Sequence, residues 1–171
     1  NSQRVDVIDT STNTVIKSIP VGIHPIGMAF NPNNNRIYVA NSNPLSSSVS
    51  VIDSSSNAVI QNIPIPGSPW RIPFNSNSGN LYVTLIAAKN VAVIDGSTNA
   101  IIRIISMPVL PPYPGSSFQT SVASIAYNPI NNFVYVSHIN SEYVTGIDPA
   151  TDTVTKTIKV GHNPFTVGYH P

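Results

Sequence analysis

Histidine, glutamate and aspartate are the side chains of this sequence that could transfer protons or hold a metal ion, since it contains no cysteine. None of its four histidines stands in His-x-x-x-His or His-Glu-x-x-His spacing, so a metal site would have to be assembled from distant parts of the chain. We predict no metal and no cofactor. His138 and Glu142 are the pair that a general acid–base reaction would use.

Most of the acidic residues recur at one position of a repeat. Apolar-Ile-Asp triplets end at spacings of 44, 42 and 53 residues, and an Asn or Asp follows each triplet after four positions. The aspartates are Asp9, Asp53, Asp95 and Asp148, and the residues four places later are Asn13, Asn57, Asn99 and Asp152. Asp-x-x-x-Asn is typical of a turn capped by the aspartate side chain. We therefore interpret these aspartates as structural.

A tyrosine also recurs, as Tyr38 in "RIYVAN", Tyr82 in "LYVTLI" and Tyr135 in "VYVSHI". Each unit of about 42 residues holds four runs with strand character, which we name A to D after "IGMAFN", "RIYVAN", "VSVID" and "AVIQNIPI". Four antiparallel strands in a repeat of this length predict a blade of a β-propeller. Apolar residues on both faces of strand C fit a blade packed between two neighbours.

The repeat predicts that residues 1–171 form a single all-β segment of a propeller, which starts and stops inside a blade. Its parts are strands C and D at 5–21, blades at 24–65, 69–107 and 122–160, an insertion at 106–121, and a lone strand A at 164–170. We expect part of a larger ring, for example a seven-bladed one; closure of the ends into a four-bladed ring is the alternative. Open blade faces would favour self-association.

Composition excludes two classes of partner. Charged residues make up only 9% of the chain and its net charge is +1, with no cluster of Lys or Arg that could neutralise a phosphate backbone. No apolar run approaches the roughly 20 residues that cross a bilayer. We therefore expect neither nucleic acid binding nor a membrane span.

The pattern Val-Gly-x-x-Pro-x-Gly-x-Ala-Phe-Asn-Pro, followed by Ile-Tyr-Val-x-Asn and Val-x-Val-Ile-Asp-x-x-Thr-Asn, resembles the YVTN family of β-propeller repeats. The resemblance covers essentially the whole chain, although Leu85 stands where asparagine is usual. The family occurs in archaeal surface-layer proteins and in secreted or periplasmic bacterial propellers. The resemblance implies an extracytoplasmic scaffold and no particular chemistry.

Departures from the repeat indicate where function would lie. In a propeller, the D-to-A and B-to-C connections share one rim, which places the insertion 106–121 beside the loop that follows His138. The candidate binding residues on this rim are His24, Trp70, Arg71, Tyr113, Phe118, His138 and Glu142. We expect a noncatalytic module that contacts a protein or small ligand there. A lyase or hydrolase that uses His138 and Glu142, and a structural part of a surface layer or fibre, are the alternatives.

Overall fold

The computed structural model describes residues 3–170, and in them the chain forms thirteen β-strands and no helix. The strands are β1 (Arg4–Asp9), β2 (Thr14–Pro20), β3 (Pro25–Asn31), β4 (Arg36–Asn41), β5 (Ser48–Asp53), β6 (Ala58–Pro64), β7 (Asn80–Leu85), β8 (Asn90–Asp95), β9 (Ile101–Ser106), β10 (Ser121–Asn128), β11 (Phe133–Ile139), β12 (Tyr143–Asp148) and β13 (Thr153–Lys159). None of the described residues lies in a helix long and apolar enough to cross a lipid bilayer.

The strands form four separate antiparallel sheets in which sequence neighbours pair. The N-terminal sheet is β1–β2, the first blade is β3–β6, the second blade is β7–β9 and the third blade is β10–β13. The predicted all-β class and the predicted A-B-C-D order are confirmed. Each C–D pair carries a β-bulge at the same place, directly before the isoleucine of the Ile-Asp pair. The four sheets are thus copies of one unit.

The second blade departs from the predicted four strands, because its strand A is reduced to two isolated bridges, Pro69 to Leu85 and Phe74 to Leu81. Proline has no N–H, so Pro69 and Pro73 interrupt the ladder. The segment still follows β7, since the Trp70 N–H donates to the Thr84 carbonyl at 2.9 Å. Strand A of the second blade therefore lies beside β7 but does not form a regular strand.

The predicted lone strand A at 164–170 is wrong, because these residues belong to no strand. A strand needs a hydrogen-bonded neighbour, and the described residues provide no strand B beside this segment. Instead the Ser137 hydroxyl donates to the Phe165 carbonyl at 3.3 Å, which holds the segment against the third blade. Within residues 3–170, β1 pairs with β2 alone, so the four-bladed closure does not form.

The hydrophobic core lies between the sheets and not within one layer. Three clusters fill the three junctions from the N-terminal sheet to the third blade. In the middle junction, Val49 and Val51 of the first blade pack with Leu81, Ala92 and Ile94 of the second blade, all of them inaccessible to solvent. Each blade therefore depends on its neighbours to bury its faces.

A tyrosine hydroxyl makes a hydrogen bond across the junction between the first and second blades, and another does so between the second and third blades. The Tyr38 hydroxyl lies 2.7 Å from Asn99 Oδ1 and 3.0 Å from the Gly96 carbonyl of the second blade. The Tyr82 hydroxyl donates to Asp152 Oδ1 of the third blade at 2.8 Å. Burial, together with this hydrogen bond, raises the pKa of Tyr82, so the phenol keeps its proton. The repeated tyrosine of one blade thus binds the C–D turn of the next.

The C–D turns present these acceptors in one conformation. The acceptor position, four residues after the repeated aspartate, has φ between 51° and 60° in all four units, a left-handed conformation that Asn and Asp adopt more readily than most residues. Each aspartate accepts the backbone N–H two places on, at 2.8, 3.0, 2.7 and 2.9 Å. Hydrogen bonds from serines of the turn lower the pKa of Asp9, Asp53 and Asp95. Each turn is therefore held by hydrogen bonds within itself.

We predict that Tyr38→Phe lowers the free energy of unfolding by about 1–2 kcal/mol, because it leaves the buried Asn99 acceptor without its phenol donor. The measurement is urea unfolding followed by circular dichroism. Tyr143→Phe is the matched control, since the Tyr143 hydroxyl makes no hydrogen bond among the described residues, and it should change stability by less than about 0.5 kcal/mol. Equal losses in the two variants would contradict the assignment.

Candidate functional site

Hydrogen bonds at Tyr113 and Gln119 fix the insertion between β9 and β10 to the loops beneath it. The Tyr113 N–H donates to the Asn140 carbonyl at 3.1 Å, and the Asn140 side chain donates back to the Gln119 carbonyl at 3.1 Å. The Lys89 ammonium donates to Gln119 Oε1 at 2.8 Å from the second blade. Leu110 is buried beneath it. The insertion therefore bridges the B–C loops of the second and third blades, and we call this region the insertion rim.

An aromatic and ionic cluster fixes the third-blade side of the insertion rim. Tyr113 stacks on His162, with ring centroids 5.2 Å apart and an interplanar angle of 17°. Glu142 accepts from His162 Nε2 at 3.0 Å and pairs with Lys159 at 3.4 Å. Only 17% of the Glu142 side chain is exposed. Glu142 thus ties the B–C loop of the third blade to the segment after β13, and His162 of that segment stacks on Tyr113 of the insertion.

His138 lies at the base of the insertion rim and is almost fully buried. Its Nε2 shares a 2.8 Å hydrogen bond with the Thr145 hydroxyl, and its carbonyl accepts from the Ser141 hydroxyl at 2.7 Å. Burial lowers the pKa of His138 to about 4, so the ring is neutral at pH 7. His138 therefore acts in this structure as a neutral, packed side chain.

The same position differs in each blade together with its partner on strand C. In the first blade Asn41 donates to Ser50 at 2.9 Å, as His138 pairs with Thr145 in the third blade. In the second blade the corresponding residue is Leu85, which is fully buried in the core between the first two blades. Polar and apolar pairs both fill this position, so its common role in the three blades is to pack the end of strand B against strand C.

A cavity of about 180 Å³ opens between the second and third blades, under the insertion. Its walls include the Lys89, Met107, Thr120 and His138 side chains. A neighbouring hollow of about 470 Å³ shares Lys89 and Thr120 with it and extends to Phe118. The two hollows offer one cation, one neutral imidazole, hydroxyl groups and apolar surface.

The other predicted rim residues lie away from the insertion. His24 is exposed, and its Nδ1 is 3.3 Å from the Ser42 carbonyl of its own blade. Trp70 is half-buried at a blade junction, where a Cβ on Gly27 would lie only 2.3 Å from the Trp70 carbonyl oxygen. Arg71 next to it is exposed. The structure therefore groups four of the seven candidates and leaves these three apart.

The grouped candidates are Tyr113, Phe118, His138 and Glu142. His138 and Glu142 share no hydrogen bond, because each is engaged with other partners. Across residues 3–170, no group of three or more His, Asp or Glu side chains is placed to hold a metal ion.

Sequence reasoning missed two residues of the insertion rim. His162 was visible as a histidine in the D-to-A connection after β13, next to the position that His24 occupies in its own unit. Lys89 was visible as the only cation in the B–C loop of the second blade. Nothing in the repeat indicated that the insertion would bend back and contact both of them.

The lowered pKa of His138 predicts an acid-dependent loss of stability. Between its ordinary value of 6.5 and about 4, the unfolded chain binds a proton that the folded chain does not. This contribution is fully present above pH 6.5 and falls by up to roughly 3 kcal/mol as the pH drops towards 4. His138→Leu, which copies Leu85, should remove this pH dependence, and His170→Leu at an exposed site should keep it. An NMR titration that gives His138 a pKa near 6.5 would refute the assignment.

No protein-family model matches the chain, and comparison with curated protein sequences finds no relative. Solved structures do match. Hydrazine synthase of Kuenenia stuttgartiensis has a TM-score of 0.76 and 23% identity, over 94% of this chain and 44% of that one. A protein from Lactobacillus plantarum matches with a TM-score of 0.73 and 12% sequence identity, over 94% of this chain and 50% of that chain. The Cps50 (Swd1) β-propeller domain of Myceliophteria thermophila matches with a TM-score of 0.72 and 10% sequence identity, over 94% of this chain and 52% of that chain.

Identities this low show the fold alone. The chain spans about half the length of these solved chains, and its four antiparallel sheets follow one another as copies of one unit. The described residues therefore form part of a β-propeller.

Proposed function

We propose that this propeller segment is a noncatalytic binding module that contacts a protein or small ligand through the insertion rim. The observation that carries the proposal is that a fixed insertion presents apolar side chains to solvent. Val109 is 100% exposed and Phe118 is 71% exposed, although hydrogen bonds from Lys89 and Asn140 hold the neighbouring backbone and side chains in place. Exposed apolar groups beside a cavity are typical of contact surfaces.

A stiff insertion lowers the cost of binding. Residues 107–120 contain four prolines, which restrict the backbone before any partner arrives. Contacts at Leu110, Tyr113 and Gln119 fix the rest of the segment to two blades. A surface ordered in advance loses less conformational entropy when it binds. The insertion rim thus has the preorganisation that recognition requires.

The acid–base groups of the insertion rim favour binding over catalysis. His138 is buried and engaged with Thr145, and burial makes it a weak base because its pKa falls to about 4. Both Glu142 oxygens are engaged, one with His162 and the other with Lys159. The His138 side chain lines the cavity, but Glu142 lines neither hollow and cannot act there as its partner. The two side chains therefore do not form a catalytic pair at the cavity.

The resemblance to YVTN repeats and the weakly charged surface support an extracytoplasmic location, at the cell surface or in a secreted or periplasmic protein. With 9% charged residues, the protein relies on neutral hydroxyl and amide side chains for solubility. The location is part of the proposal, and fractionation of cells that express the protein natively, followed by immunoblotting, tests it. Recovery of the protein in the cytoplasmic fraction alone would reject it.

The rim assignment predicts which exposed residues matter for binding. A panel of peptides, glycans and small organic acids is screened against the protein by NMR. For each binder, Val109→Ser with Phe118→Ser should weaken affinity at least about tenfold, because apolar contact area is lost. The matched control is Ile130→Ser, which is 78% exposed in an A–B turn on the opposite rim. Binders that lose affinity only in the control variant would overturn the proposal.

A further inference from the structure

The cavity of about 180 Å³ between the second and third blades lies where the insertion replaces a short connection. Between the first and second blades, the corresponding short connection passes close over the core. A Cβ on Gly67 would lie 2.5 Å from the Ala88 Cβ and 3.4 Å from the Leu85 Cβ there. Under the insertion, His138 takes the place of Leu85 and the space above it stays open. The cavity therefore arises from the insertion.

Lys89 is the only charged side chain at pH 7 among the residues that line the cavity and the neighbouring hollow. Its ammonium donates to Gln119 Oε1 at 2.8 Å, which leaves two N–H groups for another acceptor. No carboxylate of residues 3–170 pairs with Lys89, because the ion pairs among these residues involve other cations. The cavity thus carries one positive charge without a negative partner.

The backbone of Lys89 has an uncommon conformation. Its φ is 55°, and the other non-glycine residues with a positive φ among the described residues are Asn, Asp, Ser or His. Short polar side chains tolerate this left-handed region because they can hydrogen-bond to nearby backbone groups, whereas a lysine gains no such compensation. Costly conformations of this kind concentrate at ligand sites. The conformation therefore favours a functional role for this lysine.

The other hydrogen-bonding side chains of the cavity are partly committed to the protein. The Thr120 and Ser121 hydroxyls donate to backbone carbonyls, each at 3.1 Å. Each hydroxyl has one proton, so neither can also donate to a ligand. The His138 side chain is engaged through Nε2, to which the Thr145 hydroxyl can donate, and the neutral ring then carries its proton on Nδ1. Lys89 and His138 are thus the two side chains here that can donate to an anion.

The size and the walls of the cavity restrict the ligand. Met107, Val109 and Val122 line it with apolar surface. Its volume is about six times the share of one water molecule in the liquid, so it holds roughly six non-hydrogen atoms. One ammonium balances a single negative charge, whereas a phosphate dianion would leave a second charge beside apolar walls. A small apolar molecule with one carboxylate matches these features.

We propose that the cavity binds a small monocarboxylate, with its carboxylate on the Lys89 ammonium and its apolar tail against Met107, Val109 and Val122. The His138 Nδ1–H is the second donor. A longer tail extends into the neighbouring hollow of about 470 Å³ towards Phe118. This inference rests on the proposed function, because it names the ligand class of the insertion rim.

The test is an NMR titration of the labelled 171-residue protein with hexanoate. The resonances of the His138 ring and the Lys89 amide should shift, and those of the exposed His24 ring should not. Hexanamide has the same shape without the charge, and it should bind at least about tenfold more weakly because it loses a charge-assisted hydrogen bond.

Variants of Lys89 isolate the role of its charge. Lys89→Gln should abolish the preference for hexanoate over hexanamide, whereas Lys89→Arg keeps the charge and should keep a preference. Lys17→Gln is the matched control, because Lys17 is exposed in the N-terminal sheet, and it should leave the preference unchanged. Circular dichroism checks that each variant is folded.

The outcomes separate this inference from the proposed function. Hexanoate that does not bind, or whose preference over hexanamide survives Lys89→Gln, would overturn the inference. The proposed function would still stand if another ligand of the panel lost affinity in the variant with Val109→Ser and Phe118→Ser. It would fall together with the inference if no member of the panel bound.

Discussion

A phenol that must be satisfied between two sheets is the interaction on which this structure depends. Tyr38 and Tyr82 are fully buried, and a buried hydroxyl without a partner is costly. Each finds its acceptor in the C–D turn of the following blade, at 2.7 and 2.8 Å. The contact fixes how far and at what angle the next blade sits, and the apolar clusters then fill the space that this geometry leaves.

The contact also divides the molecule into a constant side and a variable side. The C–D turns carry the acceptors and the aspartates that cap these turns, so their sequences repeat. The D–A and B–C connections on the other rim take no part in it, and they differ freely. That rim holds the insertion, the Asn41, Leu85 and His138 series, and the cluster of Tyr113 with Glu142. Variation is tolerated where the junction does not need it, which is where a binding surface can develop.

Sequence periodicity predicted the strands, their order and the site of the insertion, because a repeated unit shows its own boundaries. It failed where the surroundings decide the outcome. Pro69 and Pro73 break the second strand A, and prolines in a strand pattern give warning of this. Residues 164–170 have the pattern of a strand and no neighbour to pair with. The spacing placed Tyr82 and Asp152 correctly in their own blades, but their contact joins residues 70 positions apart and follows only from the assembled ring.

The central claim is that the tyrosine of one blade and the turn residue of the next stabilise each other directly. A double-mutant cycle of Tyr82→Phe and Asp152→Gly tests it, since glycine removes the acceptor and accepts the φ of 52° without strain. The account predicts a coupling free energy of about 1 kcal/mol or more in urea unfolding, because the Tyr82 phenol is buried and its acceptor is a carboxylate oxygen. Losses that add to within about 0.3 kcal/mol would show that the two residues act independently and would contradict the account.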